Sequence, residues 1–133
     1  MRVTISRADL EQIVTAAAGS EEEICGLLLG EGANIREVRA TLNVAPDPAR
    51  HFEIDPAALI AAYRSAREGG RQVLGHYHSH PSGVAAPSAT DAACASPDGS
   101  LWLIVADGKA ALWRAGADDA GQLRFTSVAL DSR

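Results

Sequence analysis

A chain of 133 residues has the size of one compact domain, burying roughly 65–70% of the surface that its unfolded form exposes. Apolar residues make up 47% and charged residues 22%, with 12 glycines and 6 prolines, which excludes collagen-like, low-complexity and disordered chains. Twelve basic residues against 17 acidic ones leave a net charge of −5, and no window gathers the Lys and Arg that a phosphate backbone requires, so nucleic acid is not an expected partner.

In chain order, Ser6 followed by Asp9 reads as a helix start, and Leu10, Ile13, Val14 and Ala17 recur at helical spacing until Gly19, predicting a helix over 7–18. The apolar run from Ile24 to Gly30 predicts a buried strand, with Ile35 to Val44 pairing beside it. Pro46, Asp47 and Pro48 mark a loop, and His51 to Ile54 is expected as a short strand. Asp55 and Pro56 supply a cap and a first-turn proline for a helix whose apolar face carries Leu59, Ile60 and Tyr63, ending at Gly69 and Gly70. Gln72 to His80 reads as strand, Pro81 to Pro87 as loop, and Ser88 with Asp91 as a capping box opening a short helix to about Ala95. Leu101–Ala106 and Ala110–Ala115 flank the hairpin signal Asp107-Gly108, and Leu123 to Leu130 is the last strand. Strands and helices interspersed in this way predict an α/β fold, a layered mixed β-sheet flanked by helices on both faces.

Cys25 and Cys94 stand far apart without a Cys-x-x-Cys pairing, which argues against a disulfide framework or a four-thiolate zinc site and points to a reducing cytoplasm. The N-terminus carries no apolar run of signal-peptide length, and nowhere do about 18 apolar residues follow one another. A soluble, unsecreted chain with no membrane partner is expected.

Chemistry concentrates in residues 75–91, GHYHSHPSGVAAPSATD. Side chains alternate faces along a strand, so His76, His78 and His80 project from one side, spaced to share a metal ion, and spacing alone does not choose two from the three. Imidazoles suit zinc, and a carboxylate from Asp91 would complete three protein ligands with one position left for water. Ser88 either caps the helix or turns its hydroxyl toward a substrate oxygen. A hydrolase of this kind also needs a carboxylate to carry a proton from water to the leaving amine. Glu21, Glu22 and Glu23 are the candidates, and Glu23 is favoured because it adjoins the apolar strand, where burial raises a carboxyl pKa toward neutrality. Cys25, two residues further on the same strand face, is expected to be a packing residue, with a soft ligand or a thiol nucleophile as its alternatives.

His78 and His80, then seven residues, Ser88, two residues and Asp91, preceded by Glu23 and Gly26 as Glu-x-x-Gly, together resemble the JAMM signature of the MPN-domain zinc metallopeptidases. The resemblance spans about Glu23 to Asp91 and extends more weakly to Asn43-Val44-Ala45 and Phe52-Glu53-Ile54-Asp55-Pro56, in the manner of the short prokaryotic branch. It implies one MPN domain over residues 1–133, of the MPN and cytidine-deaminase-like architecture. It further implies one zinc ion on His78, His80 and Asp91, with Glu23 as general acid/base and Ser88 as a hydrogen-bond donor to the oxyanion. His76 has no role in that set and is expected to be a supporting residue. The activity implied is hydrolysis of the amide after the C-terminal tail of a small ubiquitin-like or sulfur-carrier protein. Two other readings stand beside it: a catalytically silent MPN scaffold, which zinc-free protein would favour, and a RadC-like protein. The acidic balance and the lack of a helix-hairpin-helix region count against the second of these.

Overall fold

The computed structural model describes residues 1–133. Seven strands and three helices follow one another as β1 (Arg2–Ile5), α1 (Arg7–Ala18), β2 (Cys25–Glu31), β3 (Asn34–Thr41), α2 (Pro56–Arg67), β4 (Gln72–Ser79), α3 (Ala89–Cys94), β5 (Leu101–Ala106), β6 (Lys109–Ala117) and β7 (Leu123–Ser132). Local chemistry explains most of the boundaries. The Ser6 hydroxyl accepts from the Asp9 N–H at 3.0 Å and caps α1, while the Asp55 carboxylate accepts from the Ala57 N–H at 3.1 Å and caps α2 ahead of Pro56. Asp107 and Gly108, with φ of 51° and 72°, make the two-residue turn between β5 and β6 that tolerates left-handed backbone.

The strands form one sheet in the order β1-β3-β2-β4-β5-β6-β7, which closes on itself. Closure comes from β1, which pairs in parallel with β7 from Arg2–Ala129 to Ile5–Ser132 and touches β3 at Thr4–Asn34. The mixed α/β expectation holds, and the sheet closes on itself. The reason is β1 itself, a four-residue strand with Val3 and Ile5 buried, for which the sequence reading made no provision.

Alternation along β2 divides the core. Leu28 joins Ile13, Tyr77, Leu103 and Leu112 in the larger apolar cluster, against which Leu10, Val14 and Ala17 of α1 pack. Leu27 and Leu29 join Ala62 of α2, with Leu59, Ile54 and Val73 alongside. The expected apolar face of α2 is therefore corrected: Leu59 and Ala62 meet the sheet, while Ile60 and Tyr63 are exposed. The small Ala62 packs with Leu27 and Leu29 of β2, and that choice of face belongs to the sheet rather than to the helix. The strand expected at His51–Ile54 reduces to one bridge, Asn43 to Ile54. Gly26 is required by close approach, since a Cβ there would collide with the Arg39 carbonyl and the Tyr77 ring.

No helix is long and apolar enough to cross a membrane. Both cysteines are unpaired, Cys25 buried and Cys94 exposed.

Candidate metal centre

β4 lies between β2 and β5, with Cys25, His78 and Ile104 in register and, two residues back, Leu27, His76 and Trp102. Residues in register share a face, so His76, His78 and His80 lie on the side that carries Leu27. Ile24 reaches across to the end of β4, where its N–H donates to the Ser79 hydroxyl at 2.9 Å and its carbonyl accepts from the Ser79 N–H at 3.1 Å. This tie sets Glu23 level with His80. The loop after β4 then turns back, so that α3 presents Asp91 to both rings.

Four of the five expected residues bring their functional atoms to one place. His78 Nε2 and His80 Nε2 are 3.1 Å apart, and Asp91 Oδ2 is 3.3 Å from His78 Nε2 and 3.1 Å from His80 Nε2. Ligand atoms about 2.0–2.1 Å from a tetrahedral zinc ion stand about 3.3 Å from one another, so these three atoms fit one such ion. A Glu23 carboxylate oxygen lies within 4.8 Å of the ligating nitrogens of His78 and His80, and Glu23 is only 7% exposed. His78 is fully buried and Asp91 is 5% exposed, so the donors converge in a pocket of low dielectric.

The fifth residue, Ser88, forms the capping box. Its hydroxyl oxygen accepts from the Asp91 N–H at 3.1 Å, and its own N–H donates to Asp91 Oδ2 at 2.9 Å. The cap therefore aims the Asp91 carboxylate, and the serine proton is not consumed in doing so. The Val84 carbonyl accepts from His80 Nδ1 at 2.8 Å, which orients the ring so that Nε2 is the nitrogen facing Asp91. The neighbouring Ala85 carbonyl accepts from the Trp113 indole N–H at 3.1 Å, tying this loop to β6.

Charge in the cluster follows from burial and contact. Burial pushes the Glu23 carboxyl from 4.5 up to about 7, an effect that His80 opposes and Asp91 adds to. Burial also opposes ionisation of Asp91, but hydrogen bonds from His78, His80 and the Ser88 N–H outweigh it and hold the carboxyl well below its usual range. His80 is raised by its bond to Asp91, whereas His78 is lowered because burial outweighs the same contact. Asp91 is thereby held ionised, whereas Glu23 is poised near neutrality.

Cys25 stays out of this group. Its sulfur faces Thr41 Oγ1 at 3.5 Å and the Leu42 carbonyl at 3.6 Å, and burial pushes the thiol up. His76 also lies outside the ligand set, its ring edge-on to Trp102 at 4.3 Å and burial lowering it to about 3.

Three residues without an expected role shape the site. Phe52 stacks on His78 with ring centroids 4.1 Å apart, and Trp102 stands edge-on to it at 5.7 Å. Asn43 holds the intervening loop: its amide donates to the carbonyls of Glu23 at 2.8 Å and His51 at 2.9 Å, while its oxygen accepts from Ala45 at 3.0 Å and Glu53 at 3.1 Å. The motif fragments around Asn43 and Phe52 were the only sequence signal for either.

A closed mixed sheet bearing a His-His-Asp cluster beside a buried glutamate is the architecture of a JAB/MPN-type domain. Residues 6–117 match the family described as prokaryotic homologs of the JAB domain, and the chain belongs to that family. Among curated relatives it is 37% identical over 92 residues to a desampylase of Haloferax volcanii, covering 67% of this chain and 66% of that one. It is 27% identical over 106 residues to the CysO-cysteine peptidase of Mycobacterium tuberculosis, covering 77% of this chain and 73% of that one. The chain thus spans about two thirds of the length of the desampylase. A crystal structure of a JAB1/MPN domain protein from Archaeoglobus fulgidus has the same fold, with a TM-score of 0.61 at 23% identity over 99% of this chain and 98% of that one.

Proposed function

We propose that the chain is a zinc-dependent peptidase or isopeptidase that hydrolyses the amide bond after the C-terminal tail of a small ubiquitin-like or sulfur-carrier protein. The observation that carries this reading is the convergence of His78 Nε2, His80 Nε2 and the Asp91 carboxylate at ligand spacing, with the buried Glu23 carboxylate within 4.8 Å of both rings. The substrate class is taken from the relatives, one named a desampylase and the other a CysO-cysteine peptidase.

His78, His80 and Asp91 hold the ion, which when bound polarises the scissile carbonyl and acidifies a water molecule. Glu23, with its pKa raised to about 7, takes the proton of the attacking water and returns it to the departing amine. Ser88 keeps its hydroxyl oxygen on the Asp91 N–H and points the hydroxyl proton at the developing oxyanion. Val84 and Trp113 keep His80 and its loop in place through two adjacent carbonyls. The chain acts as one domain, and its two unpaired cysteines suit a reducing cytoplasm.

The test is intact-mass spectrometry of amide-linked conjugates of carrier proteins encoded beside this gene, incubated with zinc-loaded wild type, Glu23→Gln and chelated protein. Release of the free carrier by the loaded wild type alone is expected. Intact conjugates with fully zinc-loaded wild type would overturn the reading in favour of a silent scaffold.

A further inference from the structure

A cleft of about 210 Å³ opens between α2 and the segment that joins α3 to β5, beside the metal cluster. Its floor is His76 and Trp102, its walls include Leu27, Leu59 and Val73, and Asp98 stands at the mouth. The floor is continuous with the cluster, because the His76 and Trp102 rings each lie 5.7 Å from the His78 ring. We propose that this cleft receives one large, uncharged apolar side chain of the acyl part of the substrate, two positions before the residue that supplies the scissile carbonyl.

The inference rests on the peptidase reading for its direction. The leaving amine must lie by Glu23 to receive a proton, and the pairing of Cys25 with His78 puts Glu23 at the His80 end of the cluster. The acyl chain therefore runs the other way, over His78 toward His76. An extended peptide and β4 both advance about 3.3 Å per residue, so the side chain level with His76 belongs two positions back from the scissile carbonyl. The volume is below the roughly 300–1,000 Å³ of small-molecule pockets and suits a single side chain. Leu27, Leu59 and Val73 offer an acidic side chain no partner, and Asp98 at the mouth repels one.

The probes are the peptides N-acetyl-Ala-X-Gly-Gly-7-amido-4-methylcoumarin with X as Leu, Phe, Ala or Glu, together with the N-acetyl-Ala-X-Gly-Gly acids. With the zinc-loaded protein, kcat/KM for Leu or Phe should exceed that for Ala by roughly tenfold or more, the discrimination an apolar pocket gives, with Glu below Ala. In Ser96→Trp, where an exposed residue of the mouth fills the cleft, the Leu-to-Ala ratio should fall to near one. Independently of turnover, the Trp102 indole N–H resonance of the metal-free protein should move on titration with the Leu acid and not with the Ala acid. A Trp102 response without turnover supports the cleft and sinks the peptidase reading. No Trp102 response, or equal turnover of Leu and Ala peptides, overturns the cleft and leaves the peptidase reading standing on its own test.

Discussion

Glu23→Gln separates the chemical work of this residue from its cost to the fold, because the amide fills the same space but neither accepts nor returns a proton. Burial raises the Glu23 carboxyl from 4.5 to about 7, so the folded metal-free chain binds that proton more tightly than the unfolded chain does. This contribution to stability is present below pH 4.5, is lost as pH rises toward 7, and is fully absent above it. Taken whole, the difference between those two values corresponds to about 3 kcal/mol. Relaxation and water penetration around the ionised carboxylate reduce the figure to roughly 1–2 kcal/mol. Glutamine does not ionise, so the metal-free variant should be more stable than wild type by that amount at pH 8, about 3–8 °C in Tm, and the gap should close near pH 4.5. Removing a positioned acid/base group should at the same time lower kcat/KM about 10²–10⁴-fold in the zinc-loaded protein. Scanning calorimetry at the two pH values and the conjugate cleavage assay read these effects separately. A variant that turns over like wild type, or a Tm gap that is the same at both pH values, would refute the role given to Glu23.

His78→Ala and Asp91→Ala should each abolish stoichiometric zinc binding, measured by atomic emission on dialysed protein, since each removes one of three donors spaced 3.1–3.3 Å apart. Ser88→Ala should retain zinc, lose about 1 kcal/mol with the helix cap and lose roughly 10²–10³ in kcat; a fully active variant would leave Ser88 as a cap alone. Asn43→Ala removes the five hydrogen bonds that seat Glu23 and the 43–53 loop, so urea titration should show a loss of about 2–4 kcal/mol. In Cys94→Ser, which removes the exposed thiol lining the cleft, alkylation should leave cleavage intact, because the Cys25 sulfur faces Thr41 and Leu42 rather than the cluster.

Where a signal is local, the sequence carried it to the residue: the Ser6 cap and Gly19 bound α1, and Asp107-Gly108 makes its hairpin. The spacing of His78, His80, Ser88 and Asp91 was legible for the same reason, since one strand, a short loop and the first turn of a helix hold all four. β1 was not legible, because a four-residue strand is stabilised by β7 at the other end of the chain, and pairing over that separation leaves no local pattern. The face of α2 was misread because Ile60 and Tyr63 satisfy helical periodicity as well as Ala62 does, and only the sheet decides which side is covered. Glu23 stood out from its neighbours by adjoining the buried strand, whereas Phe52 and Asn43 reach the site through a loop whose return path is set by tertiary contacts.

The most direct measurement is anomalous diffraction at the zinc edge from crystals grown with the metal. One ion is predicted within about 2.0–2.2 Å of His78 Nε2, His80 Nε2 and an Asp91 carboxylate oxygen, with Glu23 a water molecule away. A zinc peak elsewhere, or Glu23 turned out of the pocket with the ion bound, would contradict the assignment.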